Sequence, residues 1–274
     1  MESKIMSDNE EIIDVKISEE QSYIKPKQSA NALFRFTTKL EYIESILENK
    51  AFMPRYNEES IDYLKLNQLE KIAFPMVCFC DISISKIRNH CEDYGKYGIG
   101  MNKKWGINKN IQPIHYINEN SELIKDFSYL FNKLKEDENS DFDEYRNYLL
   151  SYLFFIKPLQ GEMRKLGDYT KKNFHDENEW RYVPKMKDTE LPPALIQKSH
   201  LNDKSYKSYS SGIKESNQLW LEFEYEDIKY IFVESEFDKQ ELMKFIDISL
   251  GIEKYDKYNW VSKIEVINLM EEDL

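Results

Sequence analysis

Apolar and polar residues follow two rhythms along this chain, one of period two and one near period 3.6, and the switches between them outline its elements. Leu33-Phe34-Arg35-Phe36-Thr37 alternates, which predicts a short strand with Phe34 and Phe36 on one face and Arg35 on the other. Thr38 stands three residues before Glu41, a capping-box spacing, and Leu40, Ile43, Ile46 and Leu47 follow at helical intervals. Ala73 to Asp81 is an almost unbroken apolar run, as expected of a strand covered on both faces. Ser85 to Asp93 reads as helix. The glycines in Tyr94-Gly95-Lys96-Tyr97-Gly98-Ile99-Gly100-Met101 then predict a turn and a close backbone approach before another strand.

Gln112 to Ile117 reads as a further short strand. Residues 121–156 carry two helical stripes, Leu123, Phe127, Leu130, Phe131 and Leu134, then Tyr145, Tyr148, Leu149, Tyr152 and Leu153. Glu179 to Val183 is strand-like, with Glu179, Arg181 and Val183 on one face and Trp180 and Tyr182 on the other. Leu219 to Glu226 alternates most strictly of all and predicts the clearest strand; Ile228 to Glu234 predicts a buried one. Asp238 and Glu241 cap a helix running to about Gly251, and Val261 to Ile267 closes the pattern with a strand. Pro54 to Lys71 is expected to be a polar loop or short helix, and Pro192 to Gly212 a loop. The sum is an α+β fold: a mixed, mostly antiparallel sheet with flanking helices and an inserted helical hairpin at about 121–156. Residues 1–30 form an acidic, partly flexible arm, and 31–274 a single domain.

Composition narrows the role. The net charge of −12 over 274 residues offers no global field for nucleic acid. No apolar run reaches the ~18 residues of a membrane span, and the start lacks an apolar signal core. Three cysteines, Cys78, Cys80 and Cys91, make no even disulfide framework and fit a reducing cytoplasm. Their spacing with His90 lacks the usual zinc pairing, so no metal is expected.

The most informative stretch is Phe174-His175-Asp176-Glu177-Asn178-Glu179-Trp180-Arg181-Tyr182-Val183-Pro184. It places two carboxylates two residues apart at the mouth of a strand, an arrangement suited to stabilising positive charge at a sugar carbon. Read without that chemistry, these are strand-end charges, and Arg35 is a surface charge or a bridge to Glu179.

Four segments taken in order, Phe-Arg-Phe-Thr (34–37), Pro-Met-Val-Cys-Phe-Cys-Asp (75–81) followed by His90 and Tyr94-Gly95, Glu-Asn-Glu-Trp-Arg (177–181), and Asp-Ile-Lys-Tyr-Ile (227–231), resemble the AbiGi family. Its members belong to bacterial abortive-infection loci that oppose phage and are conventionally labelled antitoxins. The same layout is similar, more distantly, to domains with an ADP-ribosyltransferase-like fold. That likeness implies Arg35 and Thr37 as NAD-binding, Tyr94 or Tyr97 stacking on nicotinamide, Glu179 stabilising the ribosyl cation, and Glu177 orienting the acceptor. Where the enzyme class carries a Ser-Thr-Ser run, this chain has Cys78-Phe79-Cys80-Asp81. The implied function is a phage-defence protein transferring ADP-ribose from NAD to a macromolecular target. The alternative is a non-enzymatic antitoxin that binds and neutralises a partner toxin.

Overall fold

The computed structural model describes residues 23–27, 29–136, 142–165, 168–187, 189–250 and 254–273. Most of the acidic arm and Gly251 lie outside them; the helix expected to run to about Gly251 ends at Ser249. Strand β1 (Ala32–Thr37) leads into helix α1 (Leu40–Asn49). The helix starts from Lys39 with no side-chain cap, so the Thr38–Glu41 box does not form; Lys50, in the left-handed region at φ 48°, ends it. Next come β2 (Ala51–Phe52), β3 (Arg55–Ser60), β4 (Lys71–Cys80), α2 (Ile87–Tyr94) and β5 (Tyr97–Asn102). Between α2 and β5, Gly95 has φ +97° and lies so close to Thr37 that a Cβ would strike its carbonyl, which is the close approach the glycine spacing predicts.

The chain continues through α3 (Lys103–Asn108), β6 (Gln112–Pro113), β7 (His115–Ile117), α4 (Glu122–Glu136) and α5 (Asp143–Leu153). Then follow β8 (Ile156–Pro158), β9 (Gln160–Lys165), β10 (Asp168–Asn173) and β11 (Glu179–Tyr182). Helix α6 (Asp203–Lys214), β12 (Leu221–Glu222), β13 (Ile228–Val233), α7 (Glu236–Ser249), α8 (Lys254–Val261), β14 (Ile264–Val266) and α9 (Ile267–Asp273) complete it.

The main sheet runs β14-β13-β5-β1-β4-β11-β6, with β3 added to the first half of β4. Only β13 and β14 pair in parallel there; the other pairs are antiparallel. Period-two alternation splits its side chains between two cores. Leu33, Phe79, Ile99, Ile231 and Val233 pack with Ile43 and Leu47 of α1 and Leu242 and Ile246 of α7. Phe34, Phe36, Cys80 and Phe232 pack on the other side with Ile87 and Cys91 of α2 and Ile267 of α9. The first half of β4 (Ile72, Phe74, Met76) builds a third core with Ile124 of α4 and Leu153 of α5, against which Phe127, Phe131 and Tyr152 pack, whereas Leu123, Leu130, Tyr145 and Tyr148 of the predicted stripes are exposed.

Three expectations need correction. Pro54 to Lys71 contains a true strand, β3: Tyr56 is its one buried residue, and apart from the partly buried Glu59 its other residues are exposed, so the sequence carries little apolar signal. Pro192 to Gly212 holds part of α6, capped by Asn202, whose side chain accepts from the Ser205 amide at 3.0 Å. The helix closes the open side of β3 through Ser210 Oγ, which accepts from the Tyr56 amide at 3.0 Å, and buries Ile213. Leu219 to Glu226 is a strand over two residues alone, Leu221–Glu222 against β2, with 3-10 turns on either side. Leu219, Leu221 and Phe223 are all buried, so the alternation reports burial more than it reports a hydrogen-bonded ladder, which is two residues long here.

Candidate functional site

The Glu177–Glu179 pair sits where a 3-10 turn (Phe174–Glu177) gives way to β11. Asn173 caps the turn, and Asn178 ends it in the left-handed conformation at φ 42°. This local chemistry turns both acids inward: Glu177, Glu179 and Arg181 are 6%, 5% and 0% exposed. Residues directly opposite across a ladder share a face. Glu179 pairs with Cys80 and Arg181 with Cys78, so the acid and the guanidinium project to one side of β11. Trp180 and Tyr182 pack into the apolar core on the other side.

A network of ion pairs fills the charged side. Arg181 Nε donates to Glu179 Oε1 at 2.8 Å, Nη2 reaches Glu59 Oε1 of β3 at 2.9 Å, and Nη1 donates to the Phe154 carbonyl at 2.7 Å. The other oxygen of Glu179 takes Lys157 of β8 at 3.1 Å, and Lys157 also lies 3.9 Å from Glu177 and 4.0 Å from Glu59. Lys172 of β10 bridges Glu177 and Asp93, each at 2.7 Å. The Tyr94 hydroxyl donates to Glu177, and the His90 ring stacks on Tyr94 with centroids 4.4 Å apart. The Glu179 amide donates to the Tyr116 hydroxyl at 2.8 Å.

Burial alone would raise the Glu179 pKa, but Arg181 and Lys157 bring it down to about 2, so it is a carboxylate at neutral pH. Burial would lower Lys157 and Arg181; Glu179 and Glu59 outweigh it and raise both. His90 goes the other way: burial pushes it down to about 4. Burial and Glu177 push the Tyr94 phenol up. Both oxygens of Glu179 are thus committed to fixed cations, and the network ties together β3, β8, β10, β11 and α2.

The sequence-derived site divides in two. Glu177, Glu179 and Tyr94 come together. Arg35, Thr37 and Tyr97 do not join them. Phe34 is opposite Cys80, which is opposite Glu179, so these three share a face. Arg35, one residue on, is opposite Ile99 and lies on the other face. Where β1 and β4 are paired only at Phe34 and Cys80, Arg35 Nη1 donates to the Cys78 carbonyl at 3.0 Å, and burial lowers its pKa. Thr37 pairs with Tyr97, whose hydroxyl reaches Glu234 Oε2 at 3.5 Å. Burial, with Asp238 and Glu234, pushes Tyr97 up to about 12. The meeting of Arg35 with the acid pair in one cradle is therefore corrected: the cation that meets Glu179 is Arg181.

Arg181 was legible as a residue sharing the face of Glu179, since the two are two apart in a strand. Lys157, Lys172, Glu59 and Asp93 carry no such signal, because only the tertiary packing of β8, β10, β3 and α2 around β11 brings them close. Cys78, Cys80 and Cys91 are free thiols, and among the described residues no group of three or more His, Cys, Asp or Glu is placed to hold a metal. Among the same residues, no helix is long and apolar enough to cross a membrane.

A mostly antiparallel mixed sheet with helices on both faces, its strand β11 backed by a buried ion network, defines an α+β protein with a charged inner seam. The family described as "Putative abortive phage resistance protein AbiGi, antitoxin" matches residues 50–234. The chain belongs to the AbiGi family. It is similar to the Abortive phage resistance protein AbiGi of Lactococcus lactis subsp. cremoris, with 36% identity over 247 residues, 81% of this chain and 99% of that protein. No solved structure matches the chain, and the expected likeness to ADP-ribosyltransferases gains no support from these relatives.

Proposed function

We propose that this protein serves phage defence as an antitoxin, by binding and neutralising a partner toxin rather than by transferring ADP-ribose. One observation carries the choice. Glu179, the carboxylate a transferase would need free beside the ribose, is 5% exposed with both oxygens held by Arg181 and Lys157. An oxocarbenium ion is stabilised by a carboxylate that can face it, and this one faces two cations of the protein itself. Arg35, the residue implied to grip NAD, lies on the opposite face of the sheet. The family description names an antitoxin, and the net charge of −12 suits a basic partner.

Co-expression with the protein encoded beside it in the same locus tests the reading. The expected result is a co-purifying complex and restored growth of cells expressing the toxin. Incubation of the purified protein with labelled NAD is expected to leave NAD intact. NAD consumption that disappears in Glu179→Gln would overturn the proposal in favour of the transferase.

A further inference from the structure

A hollow of about 330 Å³ opens beside the Glu177 turn, away from the ion network. Asn118, Glu119 and Asn120, between β7 and α4, form one wall; Gln160, Asn173 and His175, around the β9–β10 hairpin, form the other. Leu159 is its apolar contribution, and among the described residues no lysine or arginine lines it. The walls are set by the backbone: the Leu159 amide donates to the Ile117 carbonyl at 3.2 Å, and the Leu159 carbonyl accepts from the Phe174 amide at 2.9 Å. Asn118 Oδ1 accepts from the Asn120 amide and Asn173 Oδ1 from the His175 amide, which fixes both side chains. Tyr116 meets the His175 ring edge-on at 5.1 Å and supports it from behind.

The chemistry of this lining selects its ligand. With one carboxylate and no cationic side chain, it disfavours phosphates and carboxylates. With one aliphatic residue and one imidazole, it offers little stacking area for a nucleobase. Among the described residues Glu119 makes no ion pair. Its carboxylate, the Asn120 and Gln160 amide oxygens and the His175 ring provide acceptors around one concavity. A planar guanidinium carries five donors in a fixed fork and matches such a set, whereas an ammonium matches it as a point charge only. We propose that this hollow receives an arginine side chain from the protein partner, with Glu119 as its counter-ion. The proposal rests on the antitoxin reading for its biological setting, since arginine is among the side chains that dominate binding energy at protein interfaces.

The test uses the full chain and two capped tripeptides, Gly-Arg-Gly and Gly-Lys-Gly, followed by NMR of the side-chain amides. The arginine peptide is expected to shift the amide signals of Asn118, Asn120, Gln160 and Asn173, saturating in the millimolar range. Glu119→Gln is expected to weaken the response about tenfold, as loss of a charge-assisted bond does. Absence of shifts, equal response to the lysine peptide, or an unchanged Glu119→Gln titration would each overturn the assignment. Capture of the locus partner separates the two claims. Capture by the wild type that Glu119→Lys abolishes supports both. Equal capture by both forms overturns the hollow as docking point and leaves the antitoxin reading standing. No capture by either removes the antitoxin reading, and the peptide titration then decides the hollow alone.

Discussion

The two faces of β11 solve the same burial problem by opposite means. On one, Trp180 and Tyr182 lean on a core of aliphatic and aromatic side chains. On the other, Glu179 and Arg181 are buried more deeply still and are held by charge. Apolar contact is tolerant, because its contribution scales with area and a smaller side chain forfeits only part of it. A buried ion pair is intolerant, because removing one member leaves the other charged and without solvent. The difference assigns distinct jobs: the apolar face holds β11 to the sheet, and the charged face fixes which strands and turns may stand beside it.

The largest expected effect follows directly. Arg181→Ala strands Glu179 and Glu59 and should cost about 3–5 kcal/mol in urea unfolding. Trp180→Ala on the opposite face of the same strand removes a half-buried ring and should cost less, roughly 2–3 kcal/mol. If the tryptophan variant proves the weaker of the two, the charged face is not the one that fixes β11.

A second test uses pH, and its sign is set by the shifts. The folded pKa of His90 lies near 4, below its ordinary 6.5. A depressed folded pKa means stability that is fully present above 6.5 and lost as pH falls through 4, where burying a protonated ring opposes folding. Glu179, held near 2, contributes in the same direction, over a more acidic window between about 4.5 and about 2. His90→Gln should therefore flatten the stability curve between pH 6.5 and 4 while leaving the steeper acid limb. An unchanged curve in that window would mean that the imidazole does not differ between the folded and unfolded chains.

The same contrast explains what the sequence could disclose. Apolar periodicity is a local signal, and it located β1, β4, β13, the α4–α5 pair and the two faces of β11. It failed where structure is held by polar contact. Helix α6 has one fully buried aliphatic residue, Ile213, and otherwise docks through Tyr206, Tyr209 and Ser210. The β9–β10 hairpin is almost wholly polar and, among the described residues, pairs with no other strand. The site behaves likewise. Glu177 and Glu179 stood out because they are neighbours in sequence. Their partners Lys157, Lys172 and Glu59 come from three other strands, β8, β10 and β3, and no spacing rule joins them. By charge sign, which can be read from a sequence, Arg35 is the natural partner; sheet face across three strands cannot be read there.

That last point can be measured by double-mutant cycles, which report coupling between two side chains after their individual effects are subtracted. Arg35→Met removes one hydrogen bond to a carbonyl and should cost about 1 kcal/mol by itself. Combined with Glu179→Gln, it should be additive within about 0.5 kcal/mol, because the two groups project from opposite faces and meet only through Cys78, whose carbonyl accepts from Arg35 and whose thiol lies against Glu179. Arg181→Met with Glu179→Gln should depart from additivity by clearly more, within the roughly 0.5–3 kcal/mol typical of groups in one ion network. The pair of cycles controls for global destabilisation, since Glu179→Gln is common to both. Coupling above about 1 kcal/mol between Arg35 and Glu179 would mean that the guanidinium and the carboxylate do sense each other, and would restore the shared cradle that the strand register denies.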